Sequence, residues 1–388
     1  MIFHDITTII HSAIDTNNTY KIIFFVENLS HFRFVEKLFN YFYEKNANIH
    51  LLCLDIPFGN RTYKSDNLTI QVLDSDLEKI KALKSLTGDL FITTTPSIGN
   101  SIFPKSSMPK NQRPTYVYVF HSLVSPNEMY TKGSFDGFDI LLSPSELISE
   151  QLKPLISKNA QVFTTGYLLF DKIHKFEYKD KFVNDVLIAP TWGSKGLNEI
   201  IQNIDKIKNF VNRLDLKAIF RPHPMTSLDE LKKIPFDIDT DKDLNNLHSY
   251  KYLITDYSGI ALEFFYLTGR PIIFLDVPKK IKRKIPVFSK EEKNYLLIEN
   301  EMRSVIGKNF SLSNLDNLNS FPEILEDISK EFISKVSNKF FRVPTGKIHN
   351  VKGFGLGLFY VNEICKAHNW TWKINSTENS GTEITFKI

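Results

Sequence analysis

Short apolar runs alternate with amphipathic segments through most of this chain, and that cadence leaves few folds open to it. Residues 20–26 are apolar, residues 32–45 carry apolar side chains at helical spacing, and residues 49–54 are apolar again. This is the β-α-β pattern of a parallel sheet covered on both faces. Further strands are expected at 69–73, 89–94, 115–120, 140–143 and 161–165, which places a first α/β domain at residues 1–171. The charged stretch 172–184 has no apolar period and reads as a connection. A second alternation follows: strand 186–189, helix 196–214, strands 217–220 and 252–255, helix 259–268 and strand 271–275, within a second domain at 172–327.

A chain of 388 residues outgrows a single core, so two domains fit its length. Two doubly wound sheets facing a cleft would hold ligands at the carboxyl ends of their strands. The net charge of +4 is too small to point to nucleic acid. Cys53 and Cys365 have no metal-ligand spacing and form no disulfide framework. No stretch reaches the roughly 20 apolar residues of a spanning helix, and the start has no signal-peptide character, so a cytoplasmic protein is expected. The basic run 279–284 reads as a solvated loop or as a contact with an anionic surface such as the inner face of the membrane.

Four strand-end segments carry chemistry. In the first, an apolar strand ends at Thr255-Asp256-Tyr257-Ser258-Gly259, just before a helix. The free N–H groups and positive dipole of a helix start favour a phosphate, Ser258 adds a hydroxyl, and Gly259 permits close approach. Read locally, Asp256 or Ser258 capping the helix is the ordinary use of such residues. In the second, a strand delivers Arg221 and His223 between Pro222 and Pro224. An arginine forms paired bonds to phosphate oxygens, and a histidine can give a proton to a leaving group. The third places His121-Ser122 after strand 115–120, where a neutral imidazole could take a proton from a hydroxyl. The fourth, Pro190-Thr191-Trp192-Gly193, is weak alone, since Trp192 could cover core and Gly193 make a turn.

Together and in order, these segments resemble the CDP-glycerol glycerophosphotransferase family of teichoic-acid and capsule-polymer enzymes, over about residues 20–310. The family's Trp-His-Gly appears as Phe120-His121-Ser122, followed by Pro190-Thr191-Trp192, Arg221-Pro222-His223-Pro224, and Thr255-Asp256-Tyr257-Ser258 with Glu263. Ser122 stands where the family usually has glycine, and Glu263 where glycerol-transferring members often have aspartate. The resemblance implies a GT-B-like fold of two Rossmann-type domains and a CDP-alcohol donor. It also implies a polymer or lipid-linked acceptor and no cofactor beyond the donor; the sequence shows no metal-ligand cluster in this portion, so any divalent ion is expected to arrive with the donor diphosphate. His121 would be the general base, His223 and Arg221 would stabilise the diphosphate, and Thr191, Asp256, Ser258 and Gly259 would line the donor site. Glu263 would reach the nucleotide's sugar. A GT-B glycosyltransferase using a nucleotide sugar is the alternative within the same fold.

From residue 328 the chain changes character. Gly353-Phe354-Gly355-Leu356-Gly357-Leu358 and Ser380-Gly381-Thr382 resemble the Gly-rich box and a later strand of the histidine kinase ATP-binding domain. The asparagine-bearing helix and the Asp-x-Gly-x-Gly box of those kinases have no counterpart upstream. Residues 328–388 are therefore expected as a small α+β extension, a helix at 354–368 with strands at 371–376 and 382–387, that does not bind ATP. An ATP-sensing or regulatory module acting through this tail is the alternative from another class.

Overall fold

The computed structural model describes residues 21–56, 58, 62–169, 184–192, 198–223, 226–239, 244–268, 270, 272–278, 303, 306–317, 371–377 and 381–387. They fall into two compact units, one holding the described residues up to 169 and the other those from 184 onward. The connection expected at 172–184 lies, except for Asn184, outside the described residues.

The first unit is a seven-stranded sheet. Its strands are β1 (Lys21–Val26), β2 (Asn48–Cys53), β3 (Leu68–Val72), β4 (Leu90–Thr93), β5 (Thr115–Val119), β6 (Ile140–Ser143) and β7 (Gln161–Thr164). They run in the order β3-β2-β1-β4-β5-β6-β7, and every pairing is parallel. This order reverses between β1 and β4, and at such a switch point the flanking crossovers leave to opposite faces and open a crevice beyond the strand ends.

Helix α1 (Leu29–Glu44) starts where Asn28 accepts bonds from the backbone N–H of Ser30 and His31. That cap satisfies donors the helix itself cannot. Its apolar face lies on β1 and β2, where the Phe24, Phe39, Phe32 and Phe58 rings meet edge-on or tilted at 5.2–5.9 Å. Each such ring contributes roughly 1.5–3 kcal/mol by burial. Helices α2 (Asp76–Lys84), α3 (Pro126–Met129) and α4 (Glu146–Leu152) complete the unit's α-helices among the described residues.

The second unit repeats the plan. Strands β8 (Asn184–Ile188), β9 (Ala218–Phe220), β10 (Asp237–Ile238), β11 (Tyr250–Thr255), β12 (Ile272–Asp276) and β13 (Gly307–Ser311) form an all-parallel sheet ordered β10-β9-β8-β11-β12-β13. Its switch point lies between β8 and β11. The helix expected at 196–214 is two, α5 (Glu199–Gln202) and α6 (Ile204–Arg213), because Asn203 at φ −107° and ψ 23° leaves the helical path. The short α7 (Leu228–Leu231) follows β9, and α8 (Ile260–Thr268) follows β11. Strands β10 and β13 carry too few apolar residues to be seen in the sequence, one being two residues long and the other reading Gly-Lys-Asn-Phe-Ser.

In the tail, β14 (Thr371–Thr377) and β15 (Gly381–Lys387) pair antiparallel, with Ile374 opposite Ile384. Both strands were expected within a residue of these bounds, and the helix expected at 354–368 lies outside the described residues.

Candidate functional site

In the second unit the carboxyl ends of β8, β9 and β11 stand side by side in the sheet, and the loops that leave them carry Thr191, Arg221, His223, Asp256, Ser258 and Gly259. Asp256 is fully buried and ties the β8 and β11 loops together. Its Oδ1 accepts from the Thr191 N–H at 2.8 Å and the Ser258 N–H at 3.1 Å, and its Oδ2 from Asn198 Nδ2 at 3.3 Å. The same Asn198 Nδ2 donates to the Thr191 carbonyl at 2.5 Å, while Asn198 Oδ1 caps α5 through the Ile200 N–H. Burial pushes the Asp256 carboxyl above its ordinary range, against the pull of these donors. Thr255 Oγ1 closes the seam by donating to the Ala189 carbonyl at 2.6 Å. With its oxygens enclosed, Asp256 fixes the path of the β8 and β11 loops; Ser258, Gly259 and the first turn of α8 form the strand-to-helix junction that suits a phosphate.

Arg221 leaves β9 into a network that sequence reading missed. Its Nε and Nη2 both donate to Asp239 Oδ2, at 2.9 and 2.7 Å, and Tyr250 Oη donates to the same oxygen at 2.8 Å. The Arg221 and Asp239 side chains are 12% and 4% exposed, so this is a largely desolvated pair. The short strand β10 delivers Asp239. The His223 ring lies 6.3 Å from that of Trp192, tilted by 32°, linking the β9 and β8 loops. Arg303 is buried with its guanidinium 4.1 Å over the Tyr257 ring, and its Nη2 donates to the Leu275 carbonyl and Asp276, bracing the β11 loop from the far side. Glu263 is buried on α8.

In the first unit, His121 follows β5. Its Nδ1 lies 3.2 Å from Tyr118 Oη, which is 3.3 Å from Tyr130 Oη. Burial holds the Tyr118 phenol well above its ordinary range and pushes that of Tyr130 up to about 12, so both remain neutral hydroxyls. For His121 Nε2 to accept a proton, Nδ1–H must donate to Tyr118, whose own hydroxyl then donates to Tyr130. Here a tyrosine does the orienting that a carboxylate does in many catalytic histidines. The rings of Phe34 and His31 flank His121 at 5.6 and 5.7 Å. Sequence reading missed His31 because one histidine in a helix's first turn carries no pattern.

No described helix is long and apolar enough to cross a membrane, and no group of three or more metal-ligating side chains occurs among the described residues.

Comparison with known proteins finds a family profile that matches the stretch carrying these loops. The profile of the family described as CDP-Glycerol:Poly(glycerophosphate) glycerophosphotransferase matches residues 97–281, just under half of the chain, a stretch that contains every residue assigned to the site above from the four motifs. Among solved structures, the wall teichoic acid polymerase TagF, in a histidine-to-asparagine variant, superposes with a TM-score of 0.54 at 14% identity, over 92% of this chain and 90% of that one. A putative UDP-N-acetylglucosamine 2-epimerase from Listeria monocytogenes gives 0.51 at 12% identity over 91% and 97%. The S. aureus protein MnaA with UDP gives 0.52 at 13% identity over 90% and 97%. These likenesses establish the GT-B-like α/β fold. A third kind of relative is the sensor protein RprX of Bacteroides fragilis, 52% identical over 61 residues, which span 16% of this chain and only 12% of that protein. The region 97–281 is thus that of a CDP-glycerol glycerophosphotransferase-like enzyme.

Proposed function

We propose that this protein moves an alcohol phosphate, glycerol phosphate or a close analogue, from a CDP-alcohol to a hydroxyl of a teichoic-acid-like or capsular polymer. His121 takes the acceptor's proton, the freed oxygen attacks the donor's distal phosphorus, and the bond from that phosphorus to the bridging oxygen breaks, releasing CMP. Arg221 and His223 balance the charge on the diphosphate, and His223 protonates or hydrogen-bonds the departing phosphate. Ser258, Gly259 and the α8 N-terminus hold the phosphates, Thr191 lines the β8 side, and Glu263 serves the ribose. Asp256 acts through the loops it holds. Such a transfer requires positioning and charge stabilisation more than covalent help from the protein.

The observation that carries this reading is the alignment of the β8, β9 and β11 strand-end loops at one end of the second sheet, with the β8 and β11 loops held together by the enclosed Asp256. Work at the inner membrane face, on a lipid-linked or polymeric acceptor, fits the basic run 279–284. The tail at 328–388, 61 residues long like the match to RprX, is read as a kinase-domain fragment without a nucleotide site. Calorimetric titration with CDP-glycerol, CDP-ribitol, CMP, UDP-sugars and ATP tests these points together. Binding of a CDP-alcohol and CMP, lost in Arg221→Ala, is expected; a preference for UDP-sugars would favour a glycosyltransferase, and binding of ATP alone would overturn the reading.

A further inference from the structure

The switch point of the first sheet holds an ionisable pair that the four motifs do not include and that lies outside the matched stretch 97–281. Glu27 directly follows β1, and Thr95 lies two residues after β4, so the two strands that flank the switch point deliver them to one place. Thr95 Oγ1 donates to Glu27 Oε1 at 2.8 Å. His31 Nδ1, a buried atom with no hydrogen-bond partner, lies 3.6 Å from that oxygen, just beyond hydrogen-bond reach, and its ring stands 5.7 Å from the His121 ring at 42°. Thr95, Glu27, His31 and His121 thus stand in succession, and Tyr118 meets His121 Nδ1 on another side.

A purely structural use of the pair is a poor fit. The positive end of α1 disfavours a cation in its first turn, and Arg33 on the same helix adds to that. Burial accordingly lowers the His31 pKa, more strongly than Glu27 raises it, and the imidazole is neutral at pH 7. Neither side chain belongs to the core, at 28% exposure for His31 and 31% for Glu27. A neutral histidine directed at a fixed carboxylate, with its ring against a second histidine, is an arrangement suited to handling a proton.

We propose that Glu27 and His31 are positioning residues for His121: Thr95 fixes the carboxylate, the carboxylate orients His31, and the pair steadies the positive charge that His121 acquires with the acceptor's proton. This rests on the reading of His121 as the base. The proton passes from the acceptor oxygen to His121 as the new oxygen–phosphorus bond forms, and leaves to solvent once CMP has departed. The groups that face this pair are His121 from the β5 end, Thr95 from the β4 end and Arg33 from α1, with the neutral Tyr118 and Phe34 around His121.

The test uses the full chain, with Glu27→Gln, Glu27→Asp and His31→Asn compared for CMP release from CDP-glycerol against pH and for histidine ring titration by NMR. Loss of the Glu27 charge is expected to lower kcat roughly tenfold, to leave KM for the donor unchanged, and to move the acid limb and the His121 titration to lower pH. Glu27→Asp is expected to restore part of the loss. If the wild type transfers and the Glu27→Gln profile overlays it, the positioning role is wrong while the transferase reading stands. If the wild type transfers from no CDP-alcohol, that reading fails, and an unchanged His121 titration in Glu27→Gln would independently overturn the coupling.

Discussion

Exchanging Asp256 for asparagine changes almost no volume and isolates what the enclosed carboxylate does. An amide can keep an oxygen at the Oδ1 position, where the Thr191 and Ser258 N–H groups converge at 2.8 and 3.1 Å. Its NH2 then takes the Oδ2 position and faces the Asn198 Nδ2 donor, which lies 3.3 Å from it. Asn198 cannot turn to relieve this, because its Nδ2 is also bonded to the Thr191 carbonyl and its Oδ1 to the Ile200 and Ile201 N–H groups. One buried donor pair is left facing itself, which costs about 1–3 kcal/mol. Asp256→Ala strands three donors and is expected to cost more. Urea unfolding followed by circular dichroism, with hydrogen exchange of the β8 and β11 loops, reads both effects. Because burial raises the Asp256 carboxyl above its unfolded value of 3.8, the folded state binds that proton more tightly. This group's contribution is greatest at acid pH and declines as pH rises past 3.8, a slope that Asp256→Asn removes. A stability change below about 0.5 kcal/mol, the level of an ordinary surface substitution, would refute the clamp.

Asp239→Ala removes the buried partner of the largely desolvated Arg221 and of the Tyr250 hydroxyl, and about 3 kcal/mol of stability should go with it, measured by the same unfolding transition. Donor binding should weaken in parallel with Arg221 unpinned. At Gly307 a Cβ would lie 2.1 Å from the Ile272 carbonyl on β12, so Gly307→Ala should lower the melting temperature by pushing β13 off its neighbour. Partial burial pulls the His31, His50 and His248 imidazoles below their ordinary value of 6.5. The unfolded chain then binds more protons, and stability should fall as pH drops through 6.5 and below, as thermal melts across that window can check. A flat profile there would contradict the burial of these rings.

The sheet strands were legible because parallel strands covered on both faces are nearly all apolar, as Lys-Ile-Ile-Phe-Phe-Val in β1 illustrates. The strand ends, and with them the motif residues, followed directly. What stayed hidden has no local signature. Asp239 directly follows a two-residue strand and becomes meaningful only when β10 pairs with β9. Glu27 and His31 come together with His121 through strand order, since β1 and β5 are far apart in the chain and both lie beside β4. The break at Asn203 was missed because the apolar period runs through it, with Ile200, Ile201, Ile204 and Ile207 all buried. At Asp256-Tyr257-Ser258-Gly259 the expected helix cap is instead a carboxylate turned inward to hold the loop, bonded to the Ser258 N–H ahead of α8.

The most direct measurement is CMP release by the purified chain from CDP-glycerol, with a poly(glycerol phosphate) primer present and absent, for the wild type and for His121→Ala. Primer-dependent release, abolished in His121→Ala while CMP binding persists, is the result this account requires. Release that does not depend on His121, or none from any CDP-alcohol, would contradict it.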